Sequence, residues 1–134
     1  MVTAGYSGTP LAQKLGLKPG QTLWTHAQPA SVAAEVADAG HTLLAEPAAG
    51  MDAAHIFVTE AAQLAVLLTE LRHTIAPNGF VWVSWPKRAS KQPTDITEDT
   101  IRDICLPLGL VDTKVCAIDE VWSGLKLVIR KELR

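Results

Sequence analysis

Hydrophobic and polar positions change period along this chain, and each change marks an element. In "EAAQLAVLLTELRHTI" (60–75), Leu64, Leu67, Leu68, Leu71 and Ile75 recur at helical spacing and give one apolar stripe. Thr59 is the expected cap of that helix. After the turn "APNG", the segment "GFVWVSW" (79–85) is apolar without alternation, the pattern of a strand buried on both faces. Upstream, "TLWTHA" (22–27), "HTLLAE" (41–46) and "AHIFVT" (54–59) predict short strands, with "PAAGMDA" (47–53) as a loop. "TPLAQKLGL" (9–17) predicts a short helix capped by Thr9 with Pro10 in its first position, and "ASVAAEVADAG" (30–40) a helix closed by Gly40. Downstream, Thr97 caps another helix. Glu98 and Asp99 stand in its first turn, Ile96 and Ile101 form a hydrophobic staple, and Pro107 and Gly109 end it. "LVDTKVCAI" (110–118) and "LKLVIRKEL" (125–133) are strands separated by the hairpin-length "DEVWSG".

Strands that alternate with helices and then close in a hairpin predict a three-layer α/β fold. Its mostly parallel sheet ends in a C-terminal antiparallel hairpin. With 134 residues, 1–134 is expected to form a single domain with a substantial core.

Composition narrows the function classes. Apolar residues are 48% of the chain, which excludes a disordered polymer. A net charge of −2 supplies no global field toward nucleic acid or anionic lipid, so any anion site must be local. No apolar run approaches the ~18–20 residues of a membrane span. "MVTAGYSGTP" has neither a cationic start nor an apolar run, so no export signal is expected. Cys105 and Cys116, with no CxxC and no neighbouring histidine, are expected to be reduced thiols of a cytoplasmic protein rather than metal ligands. "GYSG" (5–8) lacks the spacing of a nucleophile elbow and the length of a phosphate loop; a lid near the rim is its expected role.

The order of elements resembles that of the Rossmann-like methyltransferases that use S-adenosylmethionine. The segments that carry the likeness are "LTELRHTIAPNGFVWVSWPK" and "TEDTIRDICLPLGLVDTKVCAIDEVWSGLKLVIRK", with "TLWTHAQPASVAAEVADAGHTLLAE" where such enzymes place their first strand, glycine loop, helix and second strand. The resemblance spans about residues 20–132 and implies their methyltransferase-like fold. It breaks at the glycine turn that closes on the cofactor: His26-Ala27-Gln28-Pro29-Ala30-Ser31 contains no glycine, and Pro29 removes a donor. Glu46 ends the second strand, where the resemblance implies that an acidic residue can accept from ribose hydroxyls. "AGYSGTPLAQKLGLKPG", "WPKRASKQPTDITED" and "VCAIDEVWSGLKLV" resemble a family of small bacterial proteins of uncharacterised function.

In a mostly parallel sheet, ligands lie outside the carboxyl ends of the strands. That edge is expected to gather His26 and Gln28, Glu46, Thr59, residues 85–95, and the hairpin tip 119–124. There Lys87, Arg88 and Lys91 can hold a phosphate or carboxylate, Ser90 and Thr94 can donate to it, and Trp85 and Trp122 can stack on a ring. Asp95, Asp119 and Ser123 complete the expected cluster, and Lys87, Ser90, Lys91 and Asp95 are expected within reach of Asp119, Trp122 and Ser123. The alternative is structural, with Asp95 and Asp119 pairing with Lys87 or Lys91. His26, His41, His55 and His73 share no metal spacing; His26 is weighed as an acid or base against a structural histidine, and Trp24 and Trp82 are expected in the core.

The function expected from this is a non-catalytic ligand-binding or regulatory module with an anion-binding rim, no cofactor and a small anionic ligand. The alternatives are a nucleotide- or S-adenosylmethionine-using enzyme with an atypical pocket, and a homodimeric interaction module.

Overall fold

The computed structural model of the protein describes residues 9–134, so "GYSG" lies outside the described residues. One six-stranded sheet runs β2-β1-β3-β4-β6-β5, with β1 Thr22–His26, β2 Thr42–Leu44, β3 Met51–Phe57, β4 Ile75–Pro86, β5 Leu110–Ala117 and β6 Trp122–Ile129. The first four strands are parallel and β6 pairs antiparallel with both β4 and β5, which is the expected Rossmann-like α/β arrangement ending in an antiparallel hairpin.

Helices cover both faces. On one, α3 (Ala61–Arg72) and α4 (Glu98–Cys105) pack Leu64, Leu68, Leu71 and Ile101 against Ile56, Val81, Val83 and Leu125. On the other, α1 (Leu11–Leu15) and α2 (Ala30–Val36) pack Leu11, Leu15, Val32 and Val36 against Leu23, Phe57, Phe80 and Trp82. A strand between two helical layers must be apolar on both sides, which explains the unbroken run in β4. Trp82 is fully buried, its indole N–H donating to the Leu15 carbonyl at 2.9 Å. Trp24 is only partly buried, against the α3 and α4 side of the sheet.

Several boundaries differ from the sequence-based expectation. β3 begins at Met51 inside the expected loop, because Asp52 is tied into the sheet: its carboxylate accepts the Thr22 N–H at 2.8 Å while its own N–H donates to Thr22 Oγ1 at 3.0 Å. "APNG" is a loop-out within β4, where pairing jumps from Met51↔Ile75 to Ala53↔Phe80. Gly79 is required there, since a Cβ would stand 2.9 Å from the Asp52 carbonyl oxygen. Pro10 occupies the N-cap of α1 and Glu60 that of α3, neither with a side-chain cap; Thr9 and Thr59 stand one residue too early. Thr97 does cap α4, accepting from the Thr100 N–H, and Ile96 and Ile101 are buried in one cluster. Beyond β6 the chain makes a single 3-10 turn, Lys131–Leu133, so the last strand is shorter than expected. No helix among the described residues is long and apolar enough to cross a membrane.

Candidate functional site

Strand direction alone assembles the rim. His26 ends β1, Glu46 follows β2 by two residues, Thr59 follows β3 and Lys87 follows β4, so all four lie at one edge. The hairpin tip joins them: the Lys87 N–H donates to the Val121 carbonyl at 2.7 Å, and Pro86↔Trp122 and Trp85↔Ser123 are paired residues. The two stretches expected to meet therefore do so, although most of a hairpin and a helix separates them in sequence.

Two distinct places lie along this edge. The first is the switch point between β1 and β3, where successive strands leave β1 in opposite directions. The turn after β1 is left-handed at Ala27, φ 53°, so the backbone bend that a glycine would supply is present with a methyl group on it. His26 Nε2 and the Gln63 side-chain amide nitrogen, on the first turn of α3, stand 3.1 Å apart, an exposed hydrogen bond at the carboxyl end of β1. Glu46 is exposed just past β2, the strand that pairs with β1.

The second is an open cleft of about 700 Å³ on the α4 side of the sheet. Trp85, almost wholly buried, forms its floor; Val115, 54% exposed, and Ser123 form the hairpin wall, while Arg88, Lys91 and Gln92 form the loop wall. Glu98 and Asp99 also border it, but both turn to Arg102, at 3.9 and 3.2 Å, and Arg102 is bound in turn to Asp112 at 3.1 Å. Neither Arg88 nor Lys91 pairs with a carboxylate among the described residues.

Several residues expected at the ligand have their polar atoms engaged by the backbone. Thr94 Oγ1 donates to the Thr59 carbonyl at 2.7 Å, and Asp95 accepts the Ala61 N–H at 2.7 Å, supplying from a distance the cap that α3 lacks in its own sequence. Ser90 Oγ donates to the Lys87 carbonyl at 2.7 Å. Asp119 accepts from the N–H groups of Val121 and Trp122, at 2.8 and 2.7 Å, and so builds the hairpin turn. Trp122 stands edge-on to Phe57, ring centres 5.1 Å apart, on the α1 and α2 face, so it and Trp85 lie on opposite sides of the sheet and cannot stack on one ligand. Lys87 is half-buried and does not line the cleft. Among the described residues no ion pair joins Asp95 or Asp119 to Lys91; the cluster is held by backbone hydrogen bonds.

A buried polar pair escaped the sequence reading. His55, 2% exposed, shares a 2.7 Å hydrogen bond between its Nε2 and Ser84 Oγ and stacks on Phe57 at 4.3 Å between centres. Burial drives its pKa down to about 3, so the imidazole is neutral at physiological pH. The signal was a histidine and a serine in adjacent apolar strands, but only the register brings them together. Cys105 and Cys116 are unpaired thiols whose pKa values burial raises, that of Cys105 to about 11. Among the described residues no group of three His, Cys, Asp or Glu side chains can hold a metal.

No family model and no curated protein matches the chain. Solved structures do. A methyltransferase dependent on S-adenosylmethionine from Aquifex aeolicus superposes with a TM-score of 0.64 at 13% identity, over 89% of this chain and 88% of that one. A putative type 11 methyltransferase from Sulfolobus solfataricus gives 0.64 at 11%, over 90% of each. Fibrillarin from Aeropyrum pernix, solved with natively bound S-adenosyl-L-methionine, gives 0.60 at 13%, over 93% of this chain and 71% of that one. The chain carries the Rossmann-like fold of the S-adenosylmethionine-dependent methyltransferases.

Proposed function

We propose that the protein binds S-adenosylmethionine, or a close nucleoside relative, at the β1–β3 switch point and acts as a small methyltransferase-like enzyme. The observation that carries this reading is the left-handed turn at Ala27: a non-glycine residue holds the backbone bend at the place where sheets of this order take their ligands. The residues present fit such a group. Glu46, twenty residues after His26 and exposed just past β2, supports this reading as the acceptor for ribose hydroxyls. The Gln63 amide is held by one exposed hydrogen bond to His26, whose exchange for a ligand costs little. When bound, the cofactor supplies an electrophilic methyl group; the protein's part is to seat it and orient an acceptor.

A second reading, a non-catalytic ligand-binding or regulatory module, is favoured by the same turn viewed for space. The Ala27 methyl and the missing N–H of Pro29 stand where bare backbone would close on a cofactor. Calorimetric titration with S-adenosylhomocysteine separates the two. The enzyme reading expects saturable binding that Glu46→Ala weakens at least tenfold and Ala27→Gly preserves. No heat at millimolar ligand, for both the native chain and Ala27→Gly, leaves the module reading standing.

A further inference from the structure

The geometry points to a second binding site: the cleft beside Trp85 takes a small molecule that carries a phosphate or carboxylate on a flat apolar body. Three observations meet there. The first is a cavity of about 700 Å³ with an indole floor and a half-exposed valine on its wall, which leaves apolar surface facing water. The second is charge. Arg88 and Lys91 line the cleft with no carboxylate partner among the described residues, while the nearby Glu98 and Asp99 are drawn off by Arg102. An arginine fork and an ammonium at one mouth suit an anion with two or more oxygens.

The third observation is the way the loop is built. Its start is fixed by the Lys87 N–H on the Val121 carbonyl, and its end by Thr94 on Thr59 and Asp95 on Ala61. Between these anchors a 3-10 turn, Arg88–Ser90, is closed by Lys91 in the left-handed region at φ 60°, a conformation an exposed lysine adopts at a cost. Ala27 and Lys91 are the two non-glycine residues with positive φ among the described residues, and they fall at the two sites of the rim. A loop pinned at both ends holds the backbone beneath its cations in place, so binding costs the ordering of the two side chains and little backbone entropy.

The site does not depend on the switch-point reading, and its test uses different ligands. Thermal unfolding of the full chain is followed in inorganic phosphate, phenyl phosphate, benzoate and sodium chloride at matched ionic strength. Phenyl phosphate and benzoate should raise the melting temperature above the chloride control, and phenyl phosphate above phosphate itself, because the ring gains the Trp85 and Val115 surface. Titration should show binding of phenyl phosphate weakened at least tenfold in Arg88→Ala with Lys91→Gln, and unchanged in Lys131→Ala. Both loop side chains are exposed, so the double variant should keep its fold, and an unaltered amide spectrum away from 85–99 verifies that. Equal protection by chloride, or protection that survives the double variant, overturns the site; equal protection by phosphate and phenyl phosphate overturns the apolar seat. S-adenosylhomocysteine titrated into the double variant keeps the two proposals apart, since loss of the cleft must leave any switch-point binding intact.

Discussion

Ser84 and Trp85 are neighbours on one strand, yet they face two opposite kinds of polar environment. Ser84 points to the α1 and α2 side and closes a hydrogen bond with His55 in a place that water does not reach. Trp85 points to the α4 side and floors an open cleft with two cations at its mouth. The alternation of a strand puts them on different faces, and burial then decides what each polar group can do. The sealed pair must be neutral and satisfied, so it responds to pH and contributes to stability. The open cations are solvated, so they respond to salt and ligands and hardly touch stability.

The largest effect should come from the sealed side. In the unfolded chain His55 titrates near 6.5, and in the fold near 3, so between these values the unfolded state binds more protons. Its contribution is fully present above pH 6.5 and is lost as pH falls toward 3, at up to about 1.4 kcal/mol per pH unit. Urea midpoints at pH 7 and pH 4.5 measure the slope in the native chain and in His55→Gln, which keeps hydrogen-bonding capacity without titrating. The variant should lose a large part of the acid sensitivity; the same slope in both would mean that His55 reaches solvent. Next in size is Ser84→Ala, which strands the buried imidazole nitrogen and should lower stability by about 1–3 kcal/mol at neutral pH. Ser84→Cys, which retains a weak donor, should recover part of the loss.

Why one of these regions was legible in the sequence and the other only in part is a matter of range. The unbroken apolar run of β4, the stripe on α3 through Leu71 and the Thr97 cap are local patterns, and the structure reproduces them; Ile75, expected to extend the stripe, instead opens β4 because the helix ends at Arg72. The meeting of 85–95 with the hairpin tip also follows from sequence, because parallel strands bring their carboxyl ends to one edge. What sequence does not give is which atoms are already taken. Asp95 and Thr94 resemble ligand-binding residues of a polar loop, but in the fold they hold Ala61 and Thr59, more than thirty positions away. Trp85 and Trp122 resemble a stacking pair until register places them on opposite faces. The start of β3 has no local mark for the same reason, since its support is the distant Thr22.

That distinction between anchors and open cations is testable within the loop itself. Asp95→Ala removes the cap of α3 and one pin of the loop, and should cost about 1 kcal/mol by chemical denaturation. Arg88→Ala should change stability by less than about 0.5 kcal/mol, as for an exposed residue outside any network. A reversed order, with Arg88 the costlier loss, would mean that the guanidinium holds the loop together and is not available to a ligand.

The last substitution is the most discriminating, because its two readouts should move in opposite directions. Lys91 sits in the left-handed region, where a residue with a side chain is strained by about 1–2 kcal/mol, and glycine relieves that strain. The greater freedom of glycine in the unfolded chain returns about 0.5–1 kcal/mol of the gain. Lys91→Gly should therefore be neutral to slightly stabilising, by no more than about 1.5 kcal/mol. The same substitution removes one of the two cations of the cleft, so protection by phenyl phosphate should fall although the protein is no less stable. A chain that tolerates the loss of Lys91 in its fold but not in its ligand response keeps a strained lysine for what the lysine binds. If Lys91→Gly instead lowered the denaturation midpoint clearly, the side chain would be part of the scaffold and the contrast between the two faces of β4 would narrow to burial alone.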